Sequence, residues 1–408
     1  MSYLLVRNGN VLTEDCTGYA SVDLLSRNGQ IVEMAQGIEP PPDCAVIDAC
    51  GRSVLPGFVD CHVHSTAVTA DTTLLRTLPP SYVTAGATQI LGSMLARGFT
   101  TVRDVGGADF GLAHAIDEGL IRGPRLIFGG KALSQTGGHG DKRSPGVQAS
   151  DDHPYCGGSC RVVDGVENVR LAVREELRRG ASHIKLMASG GVASPTDHIN
   201  STQYSIPELE AAVAEATAVG SYVTVHAYAP AAINRALRAG ARCVEHGNLL
   251  DDDSIVLLKE LNAYLVPTLV TYWALEREGR EHGLSETSWR KVAEVLDGSI
   301  DALRRASDAD VNIAFGSDLL GGMHKYQSEE FRIRSKVQSP TQIIRSATTV
   351  AARLLQMPGK IGILTPGAYA DLLIWDADPL EDAVVLAQPD RYLEAVVKDG
   401  RLVDRTDN

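Results

Sequence analysis

Apolar residues along this chain recur in two rhythms. Near the N-terminus they come as short runs broken by turn dipeptides: YLLVRNGNVLT, SVDLLSRNGQIVEMA and AVIDACGRSVLPG. Asn8-Gly9 and Asn28-Gly29 both sit between apolar runs, and these residue types accept the positive φ angles of a tight hairpin turn, so hairpins are predicted at both. The C-terminal stretches ADLLIWDADP and LEAVVKDGRLVD repeat the style and predict a turn at Asp399-Gly400. Strand patterns at opposite ends predict one small β-sandwich domain built from 1–56 plus 360–408.

Between the ends the rhythm changes. Apolar strand patterns at 57–63, 99–105, 124–130, 183–189, 222–228, 241–247, 263–268 and 312–318 alternate with helical patterns such as 165–180, 207–219 and 230–239. Repeated β-then-α order predicts an α/β fold, a (β/α)8 TIM-type barrel spanning 57–359. A doubly wound open sheet is the alternative, but no GxGxxG turn follows the first strand. Residues 131–164 read as a long functional loop after the third strand, and 270–310 as a helical insertion after the seventh.

Composition narrows the function classes. The net charge of −13 argues against nucleic acid and anionic membranes as partners, and no apolar run is long enough to span a bilayer. The first residues lack the pattern of a secretory signal. Seven scattered cysteines form no disulfide framework and suit a cytoplasmic protein. Cys156, Cys160 and His153 could suggest a zinc knuckle, but no second pair completes a tetrahedral site.

The candidate chemistry lies at the strand ends. His62 and His64, in GFVDCHVHS, are two apart and point to one face of a strand. Lys185 lies in the fourth strand, His226 ends the fifth, His246 the sixth and Asp318 the eighth. Any one of these alone reads as a hydrogen-bonded core histidine or a helix cap. In a barrel, however, all of these strand ends converge on the face that carries the chemistry. A lysine inside an apolar strand must be paired, neutralised or modified.

The pieces PGFVDCHVH, HIKLMASGG, VHAY, VEHG and FGSD, in that order, resemble the amidohydrolase superfamily over nearly the whole chain. The resemblance implies a binuclear centre of divalent ions, usually zinc. His62, His64 and Asp318 would hold the more buried ion, His226 and His246 the more exposed one, and Lys185, carboxylated by carbon dioxide, would bridge them. The implied reaction is amide or ester hydrolysis, with Asp318 as proton shuttle. Within the superfamily, GGHGD, KLMASGG and HAY resemble the prolidases and related dipeptidases, a subgroup that includes imidazolonepropionase-like sequences. That implies a small-molecule dipeptide or N-acyl amino acid as substrate, with C-terminal proline the first choice and arginine or lysine the runner-up. His139 and Tyr228 would face it, and Asp141 or Glu329 could supply the carboxylate that a basic leaving residue needs. A cyclic-amide hydrolase or deaminase of imidazolonepropionase type would typically lack the bridging lysine. Large relatives of this kind are commonly homo-oligomers.

Overall fold

The computed structural model describes residues 2–143, 158–194 and 197–405. Its centre is a ring of parallel strands: β1 Phe58–Val63, β2 Phe99–Asp104, β3 Arg125–Phe128, β4 Ile184–Met187, β5 Val223–Ala227, β6 Cys243–His246, β7 Tyr264–Val266 and β8 Asn312–Ile313. Covered on both faces, most of these strands carry apolar runs rather than alternation. Between β3 and β4 a short strand, Ala132–Ser134, pairs Leu133 with Leu186. The ring closes where Cys61 donates its N–H to the Phe315 carbonyl at 2.8 Å and Asp318 donates to the His62 carbonyl at the same distance. This closure excludes the open sheet. The eighth strand, Asn312–Ile313, is shorter than the pattern at 312–318 predicts, and Asp318 at the end of that pattern has left-handed backbone with φ of 52°.

Helices follow the strands where the periodicity predicts them: α1 Val166–Arg178, α2 Ile206–Ala218 and α3 Pro230–Arg238. Helix α2 starts on a reciprocal cap in which Glu208 accepts the Ser205 N–H at 2.8 Å. Helix α3 starts on a proline at its first turn and buries Ala232, Ile233, Ala236 and Leu237 on one stripe. Burying a leucine such as Leu237 contributes roughly 1.5–3 kcal/mol. The insertion after β7 is two helices, α4 Leu269–Glu278 and α5 Glu286–Asp308.

Strands from both ends of the chain form one mixed sheet. Its long strand Tyr3–Leu12 pairs antiparallel with Tyr19–Arg27, and on its other side with Ala45–Asp48 and Ser53–Pro56. Asn28-Gly29 and Asp399-Gly400 turn as predicted, with φ of 48° and 82°, and of 49° and 69°. Asn8-Gly9 does not. There Tyr3–Leu12 continues past a bulge, because residues on both sides find partners in the same neighbouring strand, and Asp23 accepts the Asn8 N–H at 2.9 Å. Arg125 of β3 ties the sheet to the barrel through Asp371 at 2.7 Å and Asp399 at 2.5 Å. Among the described residues every cysteine is free, and no helix is long and apolar enough to cross a membrane. Cys156 and His153 of the candidate knuckle lie outside the described residues.

Candidate metal centre and active site

His62 sits near the end of β1 and His64 one residue beyond it, so both rings turn into the mouth of the barrel, 5.4 Å apart. Their outward nitrogens are committed. His62 donates Nδ1–H to Glu245 Oε2 at 2.7 Å, and His64 donates Nδ1–H to the Gly106 carbonyl at 2.8 Å. Since both partners only accept, each ring presents a bare Nε2. Both Nε2 atoms face the same carboxylate oxygen, Asp318 Oδ1, at 3.2 and 3.3 Å. Lone pairs gathered this way repel unless a cation or a proton lies among them. His246 joins them: donor atoms of His62, His246 and Asp318 all lie within 4.8 Å of one another. His246 and Asp318 carry φ of 72° and 52°, left-handed backbone that a non-glycine residue keeps only where its surroundings enforce it.

His246 Nδ1 is held by the hydroxyls of Thr268 at 2.8 Å and Tyr272 at 2.9 Å. His226 Nε2 meets the Gly190 carbonyl at 3.1 Å, which leaves Nδ1 to take a ligand, and its ring lies edge-on to His246 at 4.6 Å. Burial dominates the charges here. It pushes His226 and His246 well below the usual imidazole range, so both are neutral donors. Burial would raise Asp318, but the imidazoles around it, His62 first, outweigh it and hold the carboxyl well below the usual range. Lys185 is buried with no hydrogen-bond partner at Nζ among the described residues, and burial pulls its pKa down. An orphaned amine among imidazoles and a carboxylate fits a lysine that becomes an anionic ligand once carboxylated. Among the described residues, His62, His246 and Asp318 form a donor group that could hold a metal ion.

His139 stacks on His226 at 4.2 Å, and its Nδ1 meets Ser194 Oγ at 3.1 Å. Burial, reinforced by Lys142, lowers its pKa to about 4. Tyr228 stacks on His246 at 5.1 Å and bonds the Tyr272 hydroxyl at 2.9 Å. Both line the same cavity as Lys185 and Asp318. Gly191 lets the loop after β4 lie against the imidazoles: a Cβ there would sit 2.4 Å from His139 Cε1 and 2.8 Å from His226 Nε2. Gly191→Ala is expected to lower kcat/KM by about 10- to 100-fold by displacing these rings, with the melting temperature little changed. Steady-state kinetics beside a thermal melt would check it, and undiminished kcat/KM would refute it.

A model of the amidohydrolase family matches residues 53–403. The chain belongs to the amidohydrolase family. A prolidase solved in complex with N-methylphosphonate-L-proline is 46% identical, with a TM-score of 0.96 over 99% of this chain and 100% of that one. A Xaa-Pro dipeptidase solved with bound methionine is 31% identical, with a TM-score of 0.86 over 98% of this chain and 99% of its own. The ochratoxinase of Aspergillus niger is 34% identical over 86% of this chain and 75% of its own length. Imidazolonepropionase of Salinispora arenicola is 27% identical over 92% of this chain.

Several parts of this amidohydrolase's site escape a reading of the sequence. Glu245, which orients His62, is itself held by Arg103 Nη2 at 2.6 Å, a fully buried pair beneath the centre. The signal is present as Arg103 in TTVRDV and Glu245 beside His246. Tyr272 comes from α4 and has no strand-end position to mark it. The two carboxylates considered for a basic leaving residue are both engaged: Asp141 by Arg143 at 2.5 Å and Glu329 by Arg332 at 2.8 Å. Neither lines the cavity.

Proposed function

We propose that this amidohydrolase is a zinc-dependent dipeptidase that cleaves the last amide of small dipeptides or N-acyl amino acids, with proline as the preferred leaving residue. The observation that carries the reading is the convergence of His62, His64, Lys185, His226, His246 and Asp318 on one cavity at the strand ends. The relative solved with N-methylphosphonate-L-proline supports the choice of proline: the tetrahedral phosphorus of that ligand stands where a Xaa-Pro substrate would carry its reacting carbonyl.

His62, His64 and Asp318 would hold one ion, His226 and His246 the other, and carboxylated Lys185 both; once bound, the ions supply Lewis acidity for the carbonyl and a more acidic water. The chain's own residues do the rest. An Asp318 oxygen takes the proton of the attacking water and returns it to the leaving nitrogen as the C–N bond breaks. His139 and the Tyr228 hydroxyl, stacked beside His226 and His246, orient the scissile carbonyl. Arg103 and Glu245 hold His62 in the tautomer that presents Nε2.

A C-terminal arginine or lysine is disfavoured because Asp141 and Glu329 are already paired. A cyclic-amide hydrolase of imidazolonepropionase type is disfavoured by the orphaned Lys185. The test is release of free amino acids from Xaa-Pro, Xaa-Arg and Xaa-Lys by the zinc-loaded enzyme. Proline is expected to be released at least about tenfold faster in kcat/KM than either basic residue. Preference for arginine or lysine, or silence across the panel, would overturn the proline reading.

A further inference from the structure

Lys142 follows His139 by three residues, and the mechanism above gives it no task. Its side chain is buried, with the residue 7% exposed, yet it lines the same cavity as His139, Tyr228 and Asp318. An ammonium has three donors, and among the described residues one is committed, to the Ala193 carbonyl at 2.7 Å. Among the described residues no carboxylate lies within salt-bridge distance of it. Its chain neighbour Asp141 turns away to Arg143 and to the Gly137 N–H. Asp197, an acid of the same wall, is taken up by Ser194, by Gln203 at 3.0 Å and by Lys291 at 3.6 Å.

The other lysine of this wall shows what a structural ammonium looks like. Lys291 of α5 donates to three carbonyls, Gly191 at 3.2 Å, Ser194 at 3.0 Å and Asp197 at 2.6 Å, and so straps the loop after β4. Lys142 has no such cage. Leaving a buried ammonium with one of its three donors satisfied costs stability unless an anion completes it. The one anion that every dipeptide carries next to its last amide is the α-carboxylate of the leaving residue.

We propose that the Lys142 ammonium anchors the free α-carboxylate of the leaving residue, so that the enzyme cleaves only the last amide and rejects chains that continue beyond it. The inference rests on the dipeptidase reading for the identity of the substrate, but not for the binding of the carboxylate. A charge-assisted N–H···O bond at this point fixes the register of the substrate, placing its last amide over the centre. A C-terminal carboxamide or a further residue removes the charge and leaves the ammonium unpaired.

The experiment compares N-methylphosphonate-L-proline with its C-terminal carboxamide by calorimetry, on zinc-loaded wild type, Lys142→Met, Lys142→Gln and Lys142→Arg. Beside it, kcat/KM is measured for Ala-Pro and Ala-Pro-NH2. Wild type is expected to favour the free acid about a hundredfold in both measurements. Lys142→Met is expected to bring the acid-to-amide ratio close to one, chiefly through KM, and Lys142→Arg to recover part of it; Lys142→Gln gives the same reading if the methionine variant fails to fold. A variant that weakens acid and amide by the same factor would make Lys142 a structural residue and overturn the proposal. Wild type that cleaves Ala-Pro and Ala-Pro-NH2 equally well would sink the anchor while the dipeptidase reading stands. Lys142-dependent preference for the acid ligand without any dipeptide turnover would do the reverse.

Discussion

Asp318→Asn is expected to lose about three orders of magnitude in kcat while still binding N-methylphosphonate-L-proline. The substitution keeps the shape of the side chain and one acceptor oxygen, so the contacts of Oδ1 with His62 and His64, at 3.2 and 3.3 Å, can persist. What it removes is the capacity to take a proton. Asp318 is suited to that task because it is held ionised: burial alone would raise its pKa, but the neighbouring imidazoles, His62 first, more than offset this. In the amide hydrolysis proposed for this site, one group must accept a proton from water and surrender it to the leaving nitrogen. Among the described acids lining the cavity, Asp318 alone can do both. The measurement is single-turnover kinetics together with metal content by elemental analysis. Lost turnover at full metal content identifies the proton transfer. Unchanged turnover removes Asp318 from that role.

Most of the barrel and its donors were legible because their physics is local. A strand buried on both faces must be apolar, so a histidine, lysine or aspartate at its end stands out, and the barrel topology gathers such ends on one rim. His62, His64, Lys185, His226, His246 and Asp318 all meet there. What stayed hidden depends on partners distant in sequence. Glu245 and Arg103 look like stray charges until the barrel closes and places one carboxylate between His62 and a guanidinium. Tyr272 lies on a helix whose apolar stripe gives no hint that its hydroxyl reaches His246. The Asn8-Gly9 pair carries the residues of a tight turn, but the long neighbouring strand Tyr19–Arg27 pairs with both sides of it, and register decided for a bulge. Asp141 and Glu329 looked available as specificity carboxylates only because sequence does not show that arginines two and three residues on would claim them.

Lys185→Ala is expected to abolish activity and to leave the purified enzyme short of both ions. The reason is the state of the amine rather than its position alone. Nζ is fully buried among His62, His226, His246 and Asp318, with no hydrogen-bond partner, and burial pulls its pKa down. A cation in that place would be both unpaired and repelled by any metal ion. A neutral amine there can attack carbon dioxide: the nitrogen forms a bond to carbon, one proton leaves, and the product is a carbamate with an anionic oxygen pair. That single conversion would satisfy the orphaned nitrogen, add negative charge to a site proposed to hold divalent ions, and give it one more anionic oxygen ligand. A carbamate on Lys185 also requires carbon dioxide. Enzyme stripped with a chelator and given zinc in buffer free of carbon dioxide is expected to stay inactive until bicarbonate is added, and intact-mass measurement under native conditions should then show the added carboxyl mass. Recovery that is complete without bicarbonate, or full two-ion stoichiometry in the alanine variant, would defeat the carbamate. Loss of both ions in the alanine variant together with bicarbonate-dependent recovery of the wild type would tie metal content, turnover and the Lys185 amine to the same covalent step.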